Sequence, residues 1–417
     1  MLTSSESDQL NTIYINNGTR GRFFCPKIIK IMAKDNKRLL SLDILRGITI
    51  AGMLLVNNPG TWSYIYRPLE HADWIGLSPT DLVFPFFIFC MGVSMAFSLK
   101  KFNYKMSGAL FRKILIRTVV LFLIGWAVQW FGHLVRGLCK GDPFSEAVNN
   151  LDTLRYLGVF QRLALVYFFG SLCAVLFKRK FIPWLIGTIL VAYALILGLG
   201  NGYEFSLENI IAQIDNSVLG TDHMYHESAY GEQISFDPEG ILSTLPCIAH
   251  VLIGYMVGRM ILSVHNNTER VTTMLLWGTV MLLAGWLLQY GIPCGKKMWS
   301  STFVLITCGM AMCIQAMLIY FVDIKGKKGS WSRFFESFGV NPLALYLLGT
   351  ILAILFGAIP IGHDAEGGNI TIHSAVYKFF QSFCDNYTAS ALYAIAFVLL
   401  NWIVGHILYK KKIYIKI

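Results

Sequence analysis

The chain has 417 residues, of which 55% are hydrophobic, 14% aromatic and only 14% charged, and its net charge is +11. So little polar surface cannot cover a soluble globule of this size, which leaves a polytopic membrane protein. The basic residues fall in short clusters between apolar runs and not in one patch interleaved with aromatics, so nucleic acid is excluded as a partner and topology accounts for the charge.

Residues 1–37 are polar and lack the apolar core of a signal peptide, and Met32-Ala33-Lys34 reads as a start, so this stretch is expected to be a disordered or non-native extension. Residues 38–412 are expected to form a single transmembrane domain. Within it, ten apolar runs approach the roughly 20 residues that a membrane helix needs. They lie near 40–58, 79–99, 109–131, 156–177, 181–200, 240–262, 271–290, 299–322, 335–358 and 388–409, the first and ninth being the least regular. With the N-terminus cytoplasmic, the alternation puts 26 Lys and Arg inside and seven outside. That asymmetry predicts an all-α polytopic membrane protein with about ten transmembrane helices and both termini cytoplasmic.

Two outer segments stand out. Residues 201–239 carry eight acidic side chains and no Lys or Arg, as either a solvated loop or a lid that attracts a cationic substrate. Residues 374–387, with Tyr377, Phe379, Phe380 and Phe383, read as a short interfacial helix. Most of the nine cysteines lie in apolar runs as small hydrophobes, and Cys139, Cys294 and Cys384 fall in outer loops that could hold one disulfide.

Ionisable groups concentrate in residues 39–99, where they are costly in a bilayer and mark function. The first run holds Asp43, Arg46 and Asn57, the next loop Glu70, His71, Asp73 and Trp74, and Asp81 opens the second run. His71 is the candidate reactive centre: an imidazole titrates near working pH, at about 6.5, and a neighbouring carboxylate can fix its tautomer. Asn57 either caps its own helix or donates a hydrogen bond to a developing oxyanion. Asp43 and Arg46, on one helix face, either pair together or leave Arg46 to an anionic ligand from the cytoplasm. Arg162 and the basic run from Lys100 to Arg117 could join Arg46 around the phosphates of a nucleotide-bearing donor. Asp237 and Glu239 open the sixth run as acidic residues do at a helix N-terminus, and Asn341-Pro342 opens or kinks the ninth. The competing class is a secondary transporter with Asp43, Arg46, Asp81 and Arg162 along its path. The motifs of kinases, zinc proteases and serine hydrolases find no match.

Several short motifs recur in order: Ser41-Leu42-Asp43-Ile44-Leu45-Arg46-Gly47, Val56-Asn57, His71-Ala72-Asp73-Trp74 and Asp81-Leu82-Val83-Phe84-Pro85. Gly158-Val159-Phe160-Gln161-Arg162, Asp222-His223-Met224-Tyr225-His226, Asp237-Pro238-Glu239-Gly240, Lys297-Met298-Trp299-Ser300 and Gly339-Val340-Asn341 continue the series. Together this pattern resembles the signature of the heparan-α-glucosaminide N-acetyltransferase family. The resemblance implies a transmembrane acetyltransferase that moves an acetyl group from cytoplasmic acetyl-CoA to the amine of a glucosamine-type sugar on the other side. It implies His71 and Asn57 as catalytic, with Asp73, Trp74, Asp81, Asp237, Glu239 and Asn341 supporting site or substrate. Asp43, Arg46, Arg117 and Arg162 would face the donor, and no metal is implied.

General-base and covalent acetyl-histidine routes both satisfy this reading. The expected match is to the shorter bacterial members, which places the chain in a bacterial cytoplasmic (inner) membrane; the alternative is a membrane O-acyltransferase of surface polysaccharide. Expected partners are acetyl-CoA, an amino-sugar or glycan acceptor and the lipid bilayer, with a homodimer left open.

Overall fold

The computed structural model describes residues 39–149, 151–363 and 368–415, so the extension expected over 1–37 lies outside the described residues. The first half holds α1 (Leu40–Val56), α2 (Val83–Lys100), α3 (Gly108–Lys140), α4 (Val159–Leu176), α5 (Ile182–Leu199) and the short α6 (Ile210–Leu219). The second holds α7 (Thr244–Ser263), α8 (Asn267–Leu288), α9 (Ser301–Leu318), α10 (Ser330–Gly339), α11 (Pro342–Ala358), α12 (Ile372–Gln381) and α13 (Asn386–Lys410). Among the described residues, eight helices are long and apolar enough to cross a membrane, and they coincide with eight of the ten apolar runs. The other two runs differ. α1 has 17 residues, and the run at 335–358 breaks into α10 and α11, bent by 82°. Pro342 causes the break: it has no N–H to donate, it disfavours helix at Asn341, and it is well placed at the first position of a new helix.

Close helix crossings hold the bundle together. A Cβ on Gly47 of α1 would collide with the Phe335 carbonyl of α10, and one on Gly339 with the Asp43 carbonyl. Gly254 of α7 meets the Phe89 carbonyl of α2 in the same way, and Gly309 of α9 lies against Gly278 of α8. Without a hydrophobic drive between helices in lipid, small residues that let backbones touch supply the packing.

The acidic segment 201–239, the candidate lid, is folded. It contains α6 and a hairpin of β1 (His226–Ala229) and β2 (Glu232–Ser235), with Ala229 opposite Glu232. Tyr230 and Gly231 between them take φ of 53° and 83°, the two left-handed residues that a tight hairpin turn requires. The lid packs through Ile211, Ala212, Ala229 and Phe236 onto Trp74, Tyr193, Leu197 and Met298. Residues 372–381 form α12, a helix of ten residues that exposes Phe379, in keeping with an interfacial element and too short for a span. Cys139, Cys294 and Cys384 are free thiols, so the disulfide considered for them does not form.

Asp215 of α6 ties the lid to the residues leading into α7. Its Oδ1 accepts from the amides of Ile241 (2.9 Å) and Leu242 (3.3 Å), while Oδ2 is buried without a hydrogen-bond partner. Burial outweighs those bonds and lifts its carboxyl from 3.8 to about 6. The folded chain therefore holds this proton more tightly than the unfolded chain, and stability should fall as pH rises from about 4 to about 6, then level off. Asp215→Asn should flatten that slope and raise stability at neutral pH by at most about 3 kcal/mol, read from thermal unfolding over this pH range.

Candidate active site

His71 is built on the turn that precedes α2. Pro79–Leu82 is a short 3-10 turn capped reciprocally by Ser78 and Asp81, the arrangement in which a carboxylate is favoured at a helix start. Asp81 Oδ2 accepts from Ser78 N (3.0 Å), Ser78 Oγ (3.0 Å) and Ala72 N (3.2 Å). The carboxylate is fully buried, and its remaining oxygen, Oδ1, lies 2.6 Å from His71 Nδ1. An ionised carboxylate only accepts, so Nδ1 carries the proton and Nε2 keeps its lone pair. Lys296 Nζ completes the group, 3.6 Å from Asp81 Oδ1, 3.1 Å from His71 Nδ1 and 3.5 Å from His71 Nε2. Burial pushes the Lys296 ammonium below its ordinary value although Asp81 and Glu239 pull it upward.

The imidazole faces a cavity of about 420 Å³ that Asn57, just past the end of α1, Val83 and Phe84 also line. Across it stands Arg155, whose Nε and Nη2 donate to Asp237 at 2.8 and 2.5 Å and whose Nη2 also donates to Glu239 at 2.6 Å. Burial raises the Glu239 carboxyl, but Arg155 and Arg162 overcome it and hold it low; burial likewise opposes the Arg155 charge, which Asp237 secures. At the lid edge Lys297 pairs with Glu227 at 3.1 Å. The acidic residues that line the cavity thus meet basic partners, and the site is a balanced charge network.

The other sequence-designated residues divide by position. Trp74 is 1% exposed, stacks edge-on against Phe205 and Phe236, and donates through Nε1 to the Tyr203 carbonyl at 2.8 Å. It holds the His71 loop to the lid. Trp74→Ala should loosen that join by about 3–5 kcal/mol, seen as faster amide exchange across 201–239, with Trp74→Phe losing only about 1 kcal/mol. Asp73 is exposed, and the carboxylate that holds the ring is Asp81, ten positions from His71 in sequence.

Asp237 stands behind Arg155, with Glu239 on the cavity wall. Asn341 belongs elsewhere: its amide bonds the Ile413 carbonyl and Ile415 N–H at 2.8 Å each, tying down residues 413–415. Asp43 pairs with Arg46, and Arg117 stacks over Tyr167 at 4.5 Å. Arg162 departs from the donor grouping. It is fully buried, bonds Cys247 Sγ (3.2 Å), Gly240 O (3.1 Å) and Ser243 Oγ, and lies over Trp299, beside the lid and not with Arg46.

Lys296, Arg155, Tyr225 and Glu227 also line the cavity at His71, and sequence reading did not single them out as site candidates. The available signal was sparsity: Arg155, Lys296 and Lys297 are among only seven basic residues assigned to outer segments.

No family model matches the chain. It is similar to the heparan-alpha-glucosaminide N-acetyltransferase of Homo sapiens, 28% identical over 435 aligned positions that cover 91% of this chain. The Mus musculus protein of the same name is 25% identical over the same extent. The chain spans about 60% of the length of these curated relatives. The similarity covers 91% of this chain and supports the family that the motifs resemble.

Proposed function

We propose, with that family as the premise, that this chain is a membrane acyltransferase that moves an acetyl group from acetyl-CoA to the amine of a glucosamine-type acceptor. The observation that carries the reading is the His71 ring at the wall of a cavity, fixed through Nδ1 by buried Asp81 and with Lys296 Nζ 3.5 Å from Nε2. Nε2 takes a proton from the acceptor amine as its nitrogen attacks the thioester carbonyl carbon. Negative charge develops on the carbonyl oxygen, and the Asn57 amide and the Lys296 ammonium are the donors on hand to receive it. The C–S bond then breaks, the amide forms, and the imidazolium returns its proton to the departing CoA thiolate. Asp81 stabilises the imidazolium in between without taking the proton itself.

Acetyl-CoA would enter from the cytoplasmic side, its phosphates near Arg46, Arg117 and the basic start of α3. Arg46 of α1 lies 11 residues before Asn57, which follows the last residue of that helix, about 16 Å along the axis at 1.5 Å per residue, a span that an extended thioester arm covers. The acceptor would approach from beneath the lid. On this reading the protein sits in a bacterial cytoplasmic membrane with the lid outside.

The test is mass spectrometry of amino sugars incubated with purified protein and isotope-labelled acetyl-CoA. A labelled N-acetyl product supports the reading; a labelled O-acetyl product, or uptake of sugar into vesicles without acetylation, replaces it.

A further inference from the structure

A second cavity, of about 430 Å³, runs along α3 from Gly125 to Arg136, between α4 and α11. Arg155, Val159 and Tyr225 line both this cavity and the one at His71, so the two share a wall. Gln161 also lines it, and although the residue is 1% exposed, its Nε2 has no hydrogen-bond partner. Gly125 leaves the room that this carboxamide occupies, since a Cβ there would lie 2.5 Å from Nε2 and Oε1. A buried amide donor left unpaired costs about 1–3 kcal/mol, and a ligand oxygen in the cavity would recover it.

The chemistry of the lining narrows the ligand. Gln129 adds a second carboxamide, and Tyr225 and Tyr346 add aromatic rings to the lining, against which the apolar side of a small ring can pack. Among the described residues no carboxylate lines this cavity, whereas His133, Arg136 and Arg155 do, so a second ammonium group is unwelcome. Its place along α3 points away from Arg112, Lys113 and Arg117, where the donor's phosphates are assigned above. Arg155, clamped by Asp237 and Glu239, stands between the cavities as a fixed post.

We infer that this cavity is a subsite for the sugar unit next to the one that bears the reacting amine, and that it accepts a hydroxyl-rich unit without positive charge. The inference rests on acetyl transfer to an amino sugar and adds that the preferred acceptor is at least a disaccharide.

The experiment compares three acceptors with purified protein and labelled acetyl-CoA: glucosamine, a disaccharide of glucosamine on a neutral hexose, and a disaccharide of two glucosamines. The neutral disaccharide should exceed glucosamine in kcat/KM by about 10-fold, and the diamine should lose that gain. Gln161→Leu should raise KM for the neutral disaccharide about 10-fold more than KM for glucosamine. Equal kcat/KM for all three acceptors overturns the inference, as does a variant that weakens acetyl-CoA instead. Should Gln161→Leu lose glucosamine turnover through misfolding, Gln129→Leu decides by the same comparison. Wild-type protein that acetylates no amine would instead remove the acetyltransferase reading.

Discussion

Replacing His71 by Ala is expected to lower the rate of acetyl transfer by about 10³-fold or more while leaving the bundle folded, because a positioned general base contributes roughly 10²–10⁴. The fold should survive for a reason visible at Asp81. Its Oδ2 keeps three donors from Ala72 and Ser78, and Lys296 stays near Oδ1, so the buried carboxylate is not left uncompensated when the ring goes. The paired measurements are labelled-acetyl turnover and thermal unfolding. Substantial remaining activity with an unchanged unfolding midpoint would show that another group takes the proton.

Asp81→Asn tests the same machinery through the tautomer. In the variant the side-chain oxygen is needed where Ser78 and Ala72 donate, which turns the new NH₂ toward His71 Nδ1. Nδ1 must then accept, the proton moves to Nε2, and the nitrogen that faces the substrate can no longer act as a base. Loss of an orienting carboxylate in an analogous Asp–His pair costs about 10⁴ in kcat, and a fall of about 10³–10⁴ is expected here with little change in acceptor KM. The substitution also strips Lys296 of its nearest counter-charge, so its effect on stability should exceed that of His71→Ala. A variant with near wild-type kcat would mean that Asp81 is a helix cap and nothing more.

The extent to which these parts were legible beforehand follows from how local each signal is. Ser78 and Asp81 carry the spacing of a capping pair, and reading it would have placed Asp81 at a turn with its carboxylate held. The identity of the ring's partner was not legible, since Glu70 and Asp73 are closer in sequence than Asp81 and both are exposed. Arg162 reads equally well as a phosphate ligand or a buried structural donor, and only its bonds to Gly240 and Ser243 of a distant segment separate the two. Asn341 likewise finds its partners in the last few described residues.

By itself the sequence determined that the chain is a helical membrane protein, where eight of its spans lie, and that polar groups gather around His71. Hydropathy, charge clusters and capping pairs are properties of neighbouring residues, and a helix satisfies its own backbone in lipid without help from afar. The tertiary structure alone decided that Lys296, 225 positions away, stands over the ring, that Arg155 clamps the lid's carboxylates, and that the acidic loop folds onto Trp74. Those contacts join helices distant in sequence, and they depend on which backbones can approach closely enough to touch, a matter that glycine positions and the break at Pro342 settle only when the whole bundle is packed.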